Sequence, residues 1–376
     1  MSNVYINYMS SFLPNQPISN DEIDDYIGAI GGDVARVKNI VLGRNRIKQR
    51  YYALNKEGKI THSNVEMAIE AVNKLFQEGV DRNNIQMLSC ATTTPDQLLP
   101  SHASMMHGRL KLPPLEIASF SGVCLTSLQA LKALFNAIKL GEKNNGICTA
   151  SELISPTFRA DNYTIGMEYR KALESNRYME FEREFLRYML SDGASASFLE
   201  DKPREDGLSL HIEWIENKSY ANHTSTVMYM GAQLRPDGEL KGWKEFSGEE
   251  LLNNAIFALC QDFKTLMLGM KYWVDFIEEV IVKHNIDTDT IDYVLPHVSS
   301  MFIGEELQKE MRKRNVCLYD KWFVNLPEVG NMGSASIFVA LEELTRTQKL
   351  QKGNKILLLV PESARFSYGM ALLSVV

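Results

Sequence analysis

Cysteine is scarce in this chain and shows no pairing. Cys90, Cys124, Cys148, Cys260 and Cys317 are scattered through 376 residues without a Cys-x-x-Cys pair. An odd, dispersed set argues against a disulfide framework and a thiolate-bound metal, and suits a reducing compartment. Apolar runs are short as well, none nearing the roughly 18 residues of a membrane-spanning helix. The opening segment Met1–Tyr8 lacks the basic and apolar regions of a secretory signal. The expectation is therefore a cytoplasmic protein with no membrane span. Positive charge is not in excess: 40 Lys and Arg face 47 Asp and Glu, a net charge of −7. That argues against nucleic acid as the main partner, while local basic patches remain available to an acidic one.

What is present is a globular balance, 45% hydrophobic and 23% charged, in a length that suits one large or two ordinary domains. Strand and helix patterns alternate. Strands are expected at Val4–Tyr8, Ile85–Cys90, Leu115–Phe120, Gly146–Ala150, Ala194–Leu199, Leu208–Glu213, Ile291–Pro296 and Ile356–Pro361. Helices are expected at Ser19–Gly28, Asn64–Gln77, Glu249–Ile281, Ser300–Arg314 and Ser334–Leu350. This alternation predicts a layered α/β fold.

Two halves also match each other. In the first, a short strand runs through Gly122-Val123-Cys124 into an amphipathic helix. In the second, Trp322–Asn325 leads through Gly330-Asn331-Met332-Gly333-Ser334 into a helix. The expected division is residues 1–205 and 206–376. Two stretches fall outside the duplication: an aromatic, charged excursion at Thr157–Leu190 and a long surface loop at Lys218–Gly248.

Three polar residues stand at the ends of apolar strands. Cys124 lies at a strand–helix junction, where unpaired N–H groups and the helix dipole favour thiolate. His297 follows Tyr293-Val294-Leu295-Pro296, and Asn331 sits in the glycine-rich turn before the last long helix. In open α/β folds such strand ends meet at one crevice. A thiolate can take an acyl group from a thioester. An imidazole N–H and an amide N–H can then hold the enolate oxygen of a second thioester.

These segments resemble the β-ketoacyl-acyl-carrier-protein synthase III family of condensing enzymes. Ile47-Lys48-Gln49-Arg50-Tyr51 resembles its early basic segment. Ala91-Thr92-Thr93-Thr94 with Leu99-Pro100-Ser101 resembles its "ATTS…PS" loop, and Ser191–Ala196 its "GDGAGA" run. Pro296-His297 and Gly330–Ser336 resemble "PHQAN" and "GNTSAAS". The resemblance implies a thiolase-like fold, with two duplicated α/β halves stacked as a five-layer α-β-α-β-α sandwich. It implies Cys124 as nucleophile, with His297 and Asn331 polarising the extender thioester. Acyl carrier protein and acyl-CoA are the implied partners, with a homodimer and with neither cofactor nor metal. Arg44 is placed where a carrier- or coenzyme-A-contacting arginine is expected, and Leu99 where an aromatic bounds the acyl pocket across the dimer interface.

Departures from the pattern are informative. The glycine-rich loop before the final strand is replaced by Pro361–Gly369. There the Ala364 amide is expected to complete an oxyanion hole, Arg365 to contact a second carbonyl or carboxylate, and Phe366 to line the substrate site. Phe302 stands where an arginine is expected, which shifts expected carrier docking to Lys309, Arg312, Lys313 and Arg314. The chain is also longer than an ordinary starter synthase, and among specialised members it resembles most the ketosynthases that join an acyl and a 3-oxoacyl chain into cyclohexanedione precursors of dialkylresorcinol lipids. The alternatives are an ordinary starter synthase of fatty-acid synthesis and a non-catalytic ketosynthase-like subunit. A degradative thiolase would need a second cysteine after Cys317. A hydroxymethylglutaryl-CoA-synthase-like enzyme would need a glutamate just after Cys90. Neither is present.

Overall fold

A computed structural model describes residues 2–30, 34–164 and 184–376. The middle of the expected Thr157–Leu190 excursion lies outside the described residues. Nine strands form the main hydrogen-bonded set: β1 (Tyr5–Phe12), β2 (Met87–Thr92), β3 (Glu116–Ser121), β4 (Asn145–Glu152), β5 (Gly193–Glu200), β6 (Leu210–Ser219), β7 (Tyr293–Pro296), β8 (Lys355–Glu362) and β9 (Ser367–Val375). Their spatial order is β7-β8-β9-β6-β1-β5-β4-β2-β3.

The order contains the same plan twice. From one edge, β3–β2 and β2–β4 are parallel pairs, then β4–β5 and β5–β1 are antiparallel. From the other edge, a bridge joins Trp322 to Val294 in parallel and β7–β8 is parallel, then β8–β9 and β9–β6 are antiparallel. The two sets meet at β1 and β6 through only two residue pairs, Tyr5 with His211 and Ile6 with Leu210.

Among the described residues, seven longer helices cover these strands: α1 (Val34–Asn45), α2 (Asn64–Gln77), α3 (His102–Leu110), α4 (Thr126–Lys139), α5 (Phe263–Lys283), α6 (Met301–Lys313) and α7 (Ser336–Thr347). Side-chain alternation along β8 shows how they are layered. Ile356, Leu358 and Val360 face the apolar cluster that holds Leu131 and Leu134 of α4 and Phe338, Leu341 and Leu344 of α7. Leu357 and Leu359 face the opposite way, against Trp273 and Ile277 of α5 and Leu307 of α6. A third cluster packs Val65, Ala68 and Leu75 of α2 and Met106 of α3 on Leu88, Ile147 and Phe198 of the first half. Helices α4 and α7 are thus the central layer of five, with one sheet half and one outer helix pair on either side. A strand buried on both faces reads as a continuous apolar run, as Ile356–Val360 does.

Local sequence explains where the expected elements hold and where they break. Helix α2 matches its expected span, because Ser63 and Glu66 form a reciprocal capping box at its start. The expected helix Glu249–Ile281 is instead a short turn of helix at Gly248–Asn253 followed by α5. Asp262 restarts it, accepting from the backbone N–H groups of Lys264 and Thr265. Between them, Cys260–Gln261 pairs with Met228–Tyr229. The expected helix Ser19–Gly28 contracts to Ile23–Ile27, because Ile18–Ser19 pairs with Gln49–Arg50. Lys218–Gly248 is more than a surface loop: it continues β6 and contributes Met228–Tyr229 and a hairpin of Ala232–Leu234 with Leu240–Gly242.

Candidate active site

Cys124 stands two residues before α4, in the turn that follows β3. His297 directly follows β7, its N–H donating to the Leu359 carbonyl at 2.8 Å. Asn331 is held against the other half: its N–H donates to Met189 O, its carbonyl accepts from Ser191 N–H, and Leu190 bridges to it. The three residues named from strand ends therefore converge, and Cys124 is where they meet. A cavity of about 300 Å³ is lined by Cys124 and Asn331 together with Thr93, Thr94, Val123, Glu152, Leu190, Met228, Leu259 and Gln261. A smaller one, about 40 Å³, is lined by Cys124 and His297 with Leu266, Met270, Trp273, Ile303 and Phe366. Cys124, Ser299 and Ser363 are common to both.

The electrostatics of each group follow from its surroundings. Burial pushes the Cys124 thiol up, and the Glu152 and Glu362 carboxylates add to this, while its own backbone N–H pulls weakly the other way. The expected preference for thiolate at the helix start is thus outweighed in the resting site, because burial without a paired cation costs more than a helix end returns. Burial also pushes His297 down to about 4, leaving a neutral ring at physiological pH. Its Nε2 is buried with no hydrogen-bond partner among the described residues. The Asn331 side chain is oriented unambiguously, since Oδ1 accepts from Gly333 N–H at 3.0 Å and from the Ser336 hydroxyl at 3.2 Å. That leaves its Nδ2 as the donor without an acceptor among the described residues. A neutral imidazole whose free nitrogen is Nε2 and an amide N–H, both lining space beside one sulfur, constitute a site able to hold an enolate oxygen in the tautomer that puts the ring proton on Nε2.

The remaining expected residues are placed less uniformly. Phe366 does line the smaller cavity and is buried. Its backbone is left-handed at φ 57°, and its ring lies against Gly269 of α5. Ala364 is not a lining residue; its N–H donates to the Glu362 carboxylate, so that donor is already engaged and Ser363 takes its place at the cavity wall. Arg365 does not reach the site. It is exposed, and its Nε donates to the Ala221 and Thr224 carbonyls. The backbone turn at Phe366 directs residue 365 outward, which the linear sequence does not reveal.

Leu99 is 85% exposed beside Leu98 and lies outside both cavities. Arg44 stacks on Phe302 at 5.3 Å, so the residue standing in for the expected arginine serves as its platform. The basic run on α6 is largely matched within the chain: Lys309 pairs with Glu306, Lys313 with Glu310, and Arg314 with Asp275, Glu278 and Glu310. Arg312 stacks on Tyr319.

Sequence reasoning missed Glu152. It ends β4, is buried, and lines the larger cavity. Its Oε1 accepts from the Thr93 N–H and hydroxyl and the Ser334 N–H and hydroxyl; its Oε2 accepts from the Thr94 hydroxyl at 2.8 Å and the Thr93 N–H at 3.2 Å. Burial pushes this carboxyl up against the pull of those donors. The available signal was a Ser151-Glu152 pair closing an apolar strand beside the Thr92–Thr94 turn.

The duplicated strand order, the five layers and the crevice at the strand ends define the thiolase-like fold. Comparison with known proteins agrees. Residues 281–375 match the family model for the C-terminal part of 3-oxoacyl-[acyl-carrier-protein] synthase III. The chain is similar to the β-ketoacyl-[acyl-carrier-protein] synthase III of Clostridium novyi, 21% identical over 95% of both chains. It is 24% identical to that of Clostridium perfringens (strain SM101) over 99% of both. Among solved structures it superposes on AbyA1, a tetronic acid condensing enzyme, with a TM-score of 0.76 at 18% identity, covering 98% of this chain and 99% of that one. A cysteine-to-serine variant of Xanthomonas campestris OleA, solved with lauric acid and lauroyl-CoA, gives 0.73 at 16% identity over 99% of both.

Proposed function

We propose that this chain is a condensing acyltransferase of the β-ketoacyl-acyl-carrier-protein synthase III type. Cys124 takes an acyl group from a coenzyme A or carrier-protein thioester, and the acyl chain occupies the larger cavity. A second thioester then becomes a carbon nucleophile whose enolate oxygen is held by His297 Nε2–H and Asn331 Nδ2–H. Attack on the Cys124 acyl carbonyl forms the carbon–carbon bond and releases the sulfur. The observation that carries this reading is the meeting of the two cavities at Cys124, with an unpartnered imidazole nitrogen in one and an oriented amide in the other.

The finer reading is a specialised ketosynthase that joins an acyl and a 3-oxoacyl chain into a cyclohexanedione precursor of a dialkylresorcinol. Its support is the likeness of the fold to AbyA1 and OleA and two spaces diverging from one sulfur. A homodimer is part of the same proposal. Strand β3 is an open sheet edge with most of its residues exposed, Ile117 among them, and such an edge invites pairing with a second copy. Supplying acyl-CoA with a 3-oxoacyl or a malonyl carrier thioester, and reading products by mass spectrometry, tests the reaction. A cyclic dione is expected from the 3-oxoacyl pairing. Linear 3-oxoacyl product in every combination contradicts the finer reading, and no carbon–carbon product in any combination contradicts the proposal itself.

A further inference from the structure

Much of the larger cavity's wall is apolar, with Ile154, Met189, Leu190, Met228 and Leu259 in it, as burial of a hydrocarbon chain requires. One side chain breaks that lining. Gln261 is 6% exposed and lines the same cavity, yet its Oε1 is buried without a hydrogen-bond partner. Among the described residues lining this cavity, no other has a buried side-chain nitrogen or oxygen left unpaired. Thr93 and Thr94 give their hydroxyls to Glu152, and Asn331 Oδ1 accepts from Gly333 and Ser336. An amide taken out of water and left unpaired destabilises the fold, and nearly all such buried groups in proteins are partnered.

Strand register shows where this amide points. Gln261 pairs with Met228 in a short antiparallel ladder, and directly opposed residues carry their side chains on one face. Both line the larger cavity, so that face of the ladder forms part of its wall. The ladder also sets how far the amide lies from the reacting end. Val227 N–H donates to the Ala364 carbonyl at 2.7 Å, and Asp262 N–H to the Val227 carbonyl at 2.8 Å. Ser363, next to Ala364, lines both cavities together with Cys124. Neighbouring strands lie about 4.8 Å apart, so the Gln261 backbone stands two spacings, roughly 10 Å, from that turn.

We propose that Gln261 reads a hydroxyl group part-way along the acyl chain held on Cys124, so that the acyl donor is a chain-hydroxylated fatty acyl thioester. The inference rests on the acyl transfer to Cys124 described above and names the class of chain transferred. A hydroxyl both donates and accepts, so it satisfies Oε1 and equally Nε2 if the two amide atoms are exchanged. A keto oxygen only accepts and serves one of those orientations. A charged group would be buried beside a neutral amide with no opposite charge to pair it. Distance narrows the position further. A hydroxyl on the 3-carbon stays beside the thioester at the Ser363 turn, whereas one near the middle of the chain reaches across the ladder to Gln261. A chain with no hydroxyl leaves the amide facing methylene groups, which is how a site built for a polar group rejects its apolar analogue.

The test follows the rate at which the full-length protein gains one acyl mass from the coenzyme A thioesters of decanoic acid and of its 3-, 5-, 7- and 9-hydroxy derivatives. Wild type is expected to acylate about tenfold or more faster from a 5-, 7- or 9-hydroxy chain than from the plain or the 3-hydroxy chain. Gln261→Leu keeps the backbone pairing with Met228 and removes the amide. It should lose that preference and use decanoyl-CoA at least as well as wild type does. If Gln261→Leu does not fold, as a thermal melt would show, Gln261→Met, closer in shape to glutamine, is expected to give the same result. Wild-type rates within about threefold of one another would overturn the inference. So would a wild-type preference for the plain or 3-hydroxy chain, or a mid-chain preference that survives removal of the amide. Acylation from none of the five thioesters would instead remove the acyl transfer to Cys124 on which the inference rests.

Discussion

His297 and His102 show at the residue scale how burial sets chemistry. Both rings are pushed down to about 4, His297 by burial alone and His102 by burial against a small opposing pull from Asp96. A neutral His297 can donate a hydrogen bond without carrying charge into a site that already holds two carboxylates. The same depression has a stability consequence. The folded chain resists protonation while the unfolded chain takes it up near the ordinary value of 6.5, so stability falls as pH drops from about 6.5 to about 4. Asp192 acts in the opposite sense. Burial raises its carboxyl from 3.8 to about 6, so its contribution is present at low pH and declines as pH rises through that range. Replacing His102 with Gln isolates one of these groups, because His102 lies outside both cavities. Urea unfolding across this window should show a shallower loss of stability in the variant, by up to about 3 kcal/mol between its ends. Parallel curves would contradict the assignment.

At the scale of the element, α5 meets the Pro361–Gly369 loop at one close contact. A Cβ on Gly269 would overlap the Phe366 ring, and Tyr368 anchors the same turn by donating its hydroxyl to the Gly269 carbonyl at 2.6 Å. Gly269→Ala should therefore cost about 1–3 kcal/mol through overpacking. Phe366→Gly in the same chain should restore most of that, since the ring is gone and glycine accepts a φ of 57°. Thermal melts of the two single variants and the double variant check this, and additive losses would contradict it. The contact also marks the limit of sequence reading. Helix α2 and strand β8 were legible because a capping box and an unbroken apolar run specify them locally. The orientation of Arg365 was not, because it depends on which way the backbone turns at Phe366. Glu152 was hidden for a similar reason: an acid closing a strand is ordinarily solvated, and only tertiary packing brings Thr93, Thr94 and Ser334 around it.

Across the whole molecule, the duplicated plan explains why Cys124, His297 and Asn331 meet at all. Matching strand ends of two like halves face one crevice, and α4 and α7, which begin just after Cys124 and Asn331, share one central apolar cluster. That convergence was readable in advance, because each residue sat at the same point of a repeated strand–turn pattern. The pairing of the halves through β1 and β6, and the cavity walls supplied by Met228 and Leu259, were not. They come from segments whose apolar residues have no repeat to align with. The open β3 edge extends the same logic beyond one chain, and sedimentation should give twice the mass of the 42.7 kDa chain, a monomer counting against the dimer. The central claim is that this whole arrangement serves one sulfur. Incubating the protein with acyl-CoA, digesting it and mapping the acyl mass by tandem mass spectrometry tests it most directly. The label should fall on Cys124 alone and vanish in Cys124→Ala. Label on Cys90, Cys148, Cys260 or Cys317, or label that persists in the variant, would contradict the account.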